Sequence, residues 1–330
     1  MKNKSTTRLL VSVSLLFSTQ LFANAEQEKA TFIEEMSEKH GFDAKALENT
    51  LNQAEVKQSI LDAIARPAEK TLTWTRYRNI FLKPARIKGG VEFLKANKKA
   101  LDDAYHKFGV PPEVITAIIG VETLYGKHTG GYRVLDALTT LGFHYPPRSK
   151  FFRSELSNFL QLSREENMAP TEPTGSYAGA MGKPQFIPSS YRHYAIDFDD
   201  DGRRDIWNNN VDVIGSVANY FSRHGWRKDQ PVTMPATEVD SDKHIEFIKA
   251  GMKPSIMLGK LKDAGIQYQG DHNTAQKVSL VELTLDEGKE HWIGLHNFYV
   301  ITRYNHSNMY AMAVYQLSQE IKKALQSDNS

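Results

Sequence analysis

Val114-Ile115-Thr116-Ala117-Ile118-Ile119-Gly120-Val121-Glu122-Thr123-Leu124-Tyr125-Gly126 is a nearly unbroken apolar run that ends on a carboxylate. Before it stands Gly109-Val110-Pro111-Pro112-Glu113, which reads as a turn feeding a helix. Proline suits the first helical turn, and an acid there complements the helix dipole. The run therefore predicts a helix, with Gly120 tolerated at some cost. Ile115, Ile118 and Ile119 make one stripe, and Glu122 falls on the same face. A carboxylate in that position is costly unless it is paired or forms the wall of a cleft. Partial burial raises a glutamate pKa, which a general acid at neutral pH requires. A structural glutamate, satisfied by an arginine or a backbone amide, fits the position equally well. Position alone leaves both readings open.

Outward from this helix, residues 26–66 read as amphipathic helices, with stripes at Phe32, Ile33, Met36 and at Leu47, Leu51, Ala54. Residues 91–108 continue the helical pattern through Val91, Leu94, Leu101, Tyr105 and Phe108. Residues 129–150 and 167–190 are rich in Gly, Pro, Ser and Thr and predict loops around short helices. A helix returns from Val211 to His224. Val278–Leu285, His291–Leu295 and Phe298–Tyr304 are short β-rich runs that predict a small antiparallel sheet, and Met309–Leu325 predicts a closing helix. The expected class is mainly α with a small antiparallel β element.

Three segments carry a resemblance. Val121-Glu122-Thr123-Leu124-Tyr125-Gly126 is similar to the segment that holds the catalytic glutamate of lytic transglycosylases. Gly175-Ser176-Tyr177-Ala178-Gly179-Ala180-Met181-Gly182-Lys183-Pro184-Gln185-Phe186-Ile187-Pro188-Ser189-Ser190 and Asn297-Phe298-Tyr299-Val300-Ile301-Thr302-Arg303-Tyr304-Asn305 resemble two further signatures of the same family. Their order and spacing are those of the membrane-bound lytic transglycosylase B type, glycoside hydrolase family 103. The resemblance implies a lysozyme-like catalytic core with flanking helical parts. It divides the chain into a signal peptide at 1–25, a helical part at 26–108, a core at 109–225 and a groove-completing part at 226–330. It also implies that Glu122 is the catalytic acid/base, and that Tyr77, Arg148, Ser176, Gln185, Tyr220, Tyr304, Asn305 and Tyr310 hold the glycan. The residue types agree with that role, since serine and glutamine offer neutral hydrogen bonds and tyrosines offer flat faces with a polar tip. Taken singly, most tyrosines are core residues.

Ordinary glycosidases need two carboxylates. Asp136, Glu155 and Glu172 are available, but nothing in their context marks a partner for Glu122. The resemblance accounts for this, because lytic transglycosylases use the C6 hydroxyl of N-acetylmuramic acid where other enzymes use a second residue or water. The implied product is a 1,6-anhydro sugar. A hydrolytic lysozyme with the same cut and a non-catalytic peptidoglycan-binding or scaffold protein are the alternatives.

Asp197-Phe198-Asp199-Asp200-Asp201-Gly202-Arg203-Arg204-Asp205 opens like an EF-hand calcium loop. Asp197, Asp199, Asp201 and Asp205 occupy positions 1, 3, 5 and 9, and Gly202 takes the turn at position 6. Arg203 would contribute its backbone carbonyl. Position 12 is Asn208 rather than the bidentate glutamate, so Asp212 is the expected substitute, and the affinity is expected to be weak. Structural Ca2+ is the one cofactor expected, with a solvated acidic turn as the alternative.

The first 25 residues pair Lys2, Lys4 and Arg8 with an apolar run from Leu9 to Phe17 and with Ala23-Asn24-Ala25. That is the layout of a secretory signal peptide, too short to span a bilayer. The whole chain has 41 Lys+Arg against 39 Asp+Glu; without the segment's three basic residues the balance is 38 against 39. No polyanion-binding charge remains, which argues against nucleic acid as a partner. Cysteine is absent, so neither disulfides nor a lipidated N-terminal cysteine is available. The expectation is a soluble periplasmic protein without a membrane span. Its expected partners are peptidoglycan glycan strands, with cell-wall synthesis proteins as further candidates.

Overall fold

Local chemistry sets several of the helix ends in this computed structural model, which describes residues 24–65, 72–239, 244–270 and 272–328. The expected signal peptide lies outside the described residues apart from 24 and 25. Asp43 caps the Ala44–Leu51 helix through Ala46 N, and Asn209 caps Asn210–Arg223 through Val211 N. Pro84 and Pro112 open the Pro84–Ala96 and Pro112–Thr123 helices, and Gly109, at φ 74°, closes Lys98–Phe108.

The chain forms two compact units, each assembled from separated stretches of sequence. The first comprises the described residues before 67 together with Gly130–Met181 and Phe186–Arg192. Its centre is the Val134–His144 helix, buried from Val134 to Phe143 and packed on Ser149–Glu165 through Phe152, Leu156, Phe159 and Leu160. A loop with short helices was expected over 129–150. Thr139, Thr140 and Gly142 lower helix propensity there, but burial on every side overrides it.

The second unit comprises the described parts of Pro67–Thr129, Gly182–Gln185 and His193–Ser330. Here Pro112–Thr123 is buried at nine of its twelve positions and packs against Pro84–Ala96, Lys98–Phe108, Asn210–Arg223 and Asn308–Asp328. A five-stranded antiparallel sheet belongs to this unit. Its order is Ile256–Met257, Lys277–Thr284, Lys289–Gly294, Thr233–Glu238, Gln267–Tyr268. Met234, Leu258, Leu261, Ile266, Val278, Leu280, Ile293 and Leu295 give the sheet its own apolar core.

Two of the three expected strands form. The third run, Phe298–Tyr304, is a correction: His296–Thr302 is a helix. Its five buried residues face protein on nearly all sides, so the run lacks the periodicity that would separate a buried helix from a buried strand. Thr233–Glu238 escapes notice because Pro235 sits in its middle, opposite Trp292.

Candidate active site

The Pro112–Thr123 helix stops immediately after Glu122, and the stop is strained. Leu124 (φ 51°) and Tyr125 (φ 61°) both adopt the left-handed conformation without being glycine. Such residues cost about 1–3 kcal/mol each and persist where the surroundings over-determine them. Here Leu124 N bonds Gly120 O at 3.2 Å and Tyr125 N bonds Ile119 O at 3.2 Å. The Tyr125 ring then folds back over the helix. A Cβ on Gly120 would lie 2.7 Å from it, so glycine is needed at that point. The Tyr125 hydroxyl donates to Arg86 O at 2.8 Å, and the ring stacks on Phe93 at 5.8 Å. Arg86 donates to the Gly120 carbonyl and so places a cation at the negative end of the helix. Thr123 fixes the other side by donating to Lys183 O at 2.9 Å and accepting from Gly126 N at 3.0 Å.

Glu122 is half-buried at this rigid corner. Its Oε1 accepts from the hydroxyl of Tyr310, 2.5 Å away. Tyr310 lies in the Asn308–Asp328 helix and is buried, at 2% exposure. Burial first, and then the Glu122 charge, push the Tyr310 phenol well above its usual pKa. It therefore remains a donor across the working pH range. Tyr304 is likewise raised well above the usual value by burial and by Glu122. Its hydroxyl donates to Pro184 O at 2.6 Å, and its ring lies parallel to Tyr310 with centroids 6.4 Å apart. Tyr220 stands 4.8 Å from Tyr304 and donates to Arg303 O at 2.5 Å. Tyr77 is buried beside Trp74 and Phe81, and its phenol acts electrostatically on Tyr310. Among the described residues, Glu122 is the one carboxylate whose charge raises Tyr304 and Tyr310. The result is a carboxylate set among phenols.

The structure thus brings Tyr77, Tyr220, Tyr304 and Tyr310 into one cluster with Glu122 in the second unit. Gln185 and Asn305 belong to the same unit. Gln185 has φ 52°, and its side-chain nitrogen donates to Thr129 O at 3.0 Å and Gly182 O at 2.9 Å. It therefore staples its own loop, and only Oε1 of the amide is left for a sugar. Asn305 follows Tyr304 in a turn where its carbonyl accepts from Ser307 N at 2.8 Å. Arg148 and Ser176 belong to the first unit. Ser176 Oγ accepts from Ala178 N at 3.3 Å and Ala180 N at 3.0 Å. Its hydroxyl hydrogen thus points outside that turn. The Arg148 guanidinium is exposed and lies over Phe151, 4.4 Å from the ring centre.

The other carboxylates have structural duties. Asp136 is buried and held by Arg133 at 2.7 and 2.9 Å and by Glu55 N at 2.9 Å. Glu155, also buried, accepts from Ser189 N at 2.9 Å. Glu172 is exposed. Sequence reasoning missed the groups that shape the corner, namely Arg86, Thr123 and Lys183. Thr123 and Lys183 sit inside the quoted segments, whereas nothing near Arg86 signals its role.

In the acidic loop, one oxygen from each of Asp197, Asp199, Asp201 and Asp212 lies within 4.8 Å of the others. Gly202 (φ 91°) and Asp200 (φ 60°) make the turn, and Asp197 accepts from Asp201 N and Gly202 N. Asp212 is fully buried, and burial, with Asp199 and Asp197 nearby, pushes its carboxyl up to about 6. Arg203 N donates to Asp201 at 2.9 Å. Asp205 is outside the cluster of four, because its oxygens accept from Trp207 N, Asn208 N and Asn208 Nδ2. Asp212, expected in place of the missing position-12 glutamate, does join the cluster, carried inward by Asn210–Arg223. An all-oxygen donor set with several negative charges suits calcium.

A mainly helical architecture with a half-buried glutamate near a helix end and a wall of phenols is the setting in which the comparisons with known proteins fall. The Transglycosylase SLT domain family matches residues 24–319. Membrane-bound lytic murein transglycosylase B of Escherichia coli (strain K12) is 43% identical over 310 residues, covering 91% of this chain and 83% of its own. The crystal structure of soluble lytic transglycosylase SltB1 from Pseudomonas aeruginosa superposes with a TM-score of 0.84 at 50% identity, covering 89% of this chain and 98% of that one. Escherichia coli lytic transglycosylase Slt35 in complex with calcium gives 0.80 at 42% identity, covering 92% and 93%. The chain belongs to this family and is a lytic transglycosylase, an enzyme that acts on peptidoglycan, with the lysozyme-like fold of these relatives. Among the described residues no helix is long and apolar enough to cross a membrane.

Proposed function

We propose that Glu122 alone carries the proton transfers of a non-hydrolytic cut between N-acetylmuramic acid and N-acetylglucosamine. The observation behind this reading is the Glu122 carboxylate, half-buried and held by the buried Tyr310 hydroxyl. Protonated Glu122 gives its proton to the glycosidic oxygen as the C1–O bond breaks. The resulting carboxylate then takes the proton of the muramic C6 hydroxyl as that oxygen bonds C1. Atoms balance without water, the glutamate ends as it began, and the product is a 1,6-anhydro end. Tyr310 holds one carboxylate oxygen in place, and the strained corner at Leu124–Tyr125 fixes the backbone that carries it. In the second unit Tyr77, Gln185, Tyr220, Tyr304 and Asn305 are assigned to the glycan, whose hydroxyls and acetamides suit aromatic faces and the Gln185 Oε1 acceptor; in the first unit Arg148 and Ser176 are assigned to it as donors.

Calcium is assigned to Asp197, Asp199, Asp201 and Asp212, with the Arg203 carbonyl as a further ligand and Asp205 as support for the loop. The cation would neutralise four close carboxylates and order the loop, and no catalytic step depends on it. The basic-then-apolar start of the chain supports export to the periplasm. Digestion of purified sacculi by wild type and Glu122→Gln, read by mass spectrometry of the released muropeptides, tests the catalytic assignment. Anhydro products from the wild type and none from the variant support it, and comparable release by both refutes it.

A further inference from the structure

We propose that His244, Glu282 and His291 bind a divalent transition metal ion of the zinc class, at a site separate from the acidic loop. Glu282 and His291 stand directly opposite each other on the paired strands Lys277–Thr284 and Lys289–Gly294. His244 begins the His244–Lys249 helix, which packs against the first of those strands. Three elements thus bring one side chain each to one point.

The distances fit a metal. His291 Nε2 lies 3.1 Å from Glu282 Oε2, and His244 Nε2 lies 3.6 Å from the same oxygen. All three ligand atoms fall within 4.8 Å of one another. Tetrahedral bonds of about 2.0–2.1 Å put ligand atoms roughly 3.3 Å apart, between the two observed spacings. The imidazoles cross at 74° with centres 5.2 Å apart, so their Nε2 edges converge instead of stacking. The side chains are only 10%, 18% and 13% exposed for His244, Glu282 and His291.

Charge agrees with the geometry. Burial alone would raise the Glu282 carboxyl, but hydrogen bonds from Lys289 and His291 hold it below the usual value. Lys289 binds Oε1 at 2.8 Å, which leaves Oε2 as a monodentate donor. Two imidazoles and one carboxylate select zinc-like ions over calcium, which prefers six to eight oxygens. The metal would take the Nε2 lone pairs of the two imidazoles, each in its Nδ1–H tautomer, and a water would complete the fourth position. The ion would tie the His244–Lys249 helix to the sheet.

The test uses chelator-treated full-length protein held in excess calcium, so that the acidic loop is filled. Calorimetric titration with Zn2+ should give one equivalent per chain with a Kd below about 1 μM. Co2+ should develop the intense visible bands of a tetrahedral centre. His244→Gln and His291→Gln should each weaken zinc binding by at least about tenfold, while Asp197→Asn should leave it unchanged. Thermal melting confirms that each variant is folded, and the Co2+ spectrum of the wild type decides the matter if a histidine variant is not. Absence of zinc binding, a weak octahedral Co2+ spectrum, or affinity that follows Asp197 instead of the histidines would overturn the proposal. The cluster would then be a His–Glu–His hydrogen-bond network.

Discussion

The corner around Glu122 and the loop from Asp197 to Asp212 both depend on carboxylates, and they treat them in opposite ways. At the corner one carboxylate is set among phenols whose pKa values are pushed far up, so Tyr310 stays a neutral donor to it. In the loop four carboxylates crowd within 4.8 Å, and the buried one, Asp212, titrates only near 6. Solitude leaves a carboxylate able to exchange a proton with substrate. Crowding favours a proton or a cation between carboxylates. On the reading proposed above, the carboxyl group is thus assigned proton transfer in one place and ion binding in the other, according to its surroundings.

The largest effect should come from removing the solitary acid. Glu122→Gln keeps the shape and should lower turnover on sacculi by about 10²–10⁴-fold or more, without lowering the melting temperature. Near-normal turnover in a folded variant would erase the contrast between the two regions. Next comes the phenol that holds the acid. Tyr310→Phe keeps the ring but deletes a hydrogen bond to a charged group, worth about 1.5–3 kcal/mol, so kcat should fall roughly 10–100-fold with a smaller change in KM. An unchanged kcat would make Tyr310 a core residue only.

Gly120→Ala tests the corner itself. Its Cβ would meet the Tyr125 ring at 2.7 Å, and overpacking of this kind typically costs about 1–3 kcal/mol. Both melting temperature and turnover should drop. If only the melting temperature drops, the corner does not position Glu122.

The smallest effect on activity is expected at the loop. Asp212 has a raised carboxyl, so the metal-free folded chain loses stability as pH rises from about 4, where an unfolded aspartate ionises, to about 6. Above 6 the ionised cluster repels itself in full, and calcium should stabilise most there. Stabilisation approaches about 2.7 kcal/mol at a hundredfold excess over Kd. Melting with and without calcium at pH 5 and pH 7.5 checks this: the rise should be larger at 7.5 and absent in Asp197→Ala. An equal rise at both pH values would remove Asp212 from the site.

Much of this was legible in the chain because the signals are local. The Gly109–Pro112 turn, the isoleucine stripe leading to Glu122 and the aspartates spaced around Gly202 each lie within one short stretch. What escaped depends on residues far apart in sequence. Arg86 reaches the Gly120 carbonyl from 34 positions away, and His244, Glu282 and His291 share no motif. Gln185 could be named but its double duty could not, since its staple to Thr129 spans 56 residues. Phe298–Tyr304 was misread because a mostly buried helix shows little of the polar face that reveals its period, and Val134–His144 because Thr139, Thr140 and Gly142 mask a buried helix.

The central claim is that one carboxylate and the substrate's own hydroxyl suffice, with no water entering the bond. Digestion of sacculi by the wild-type protein in H2¹⁸O, followed by mass spectrometry of every muropeptide released, addresses it directly. The account predicts muropeptides ending in 1,6-anhydro-N-acetylmuramic acid with no ¹⁸O at C1. Reducing ends carrying ¹⁸O as the main product would show that water is the nucleophile, and would contradict the single-carboxylate mechanism proposed for Glu122.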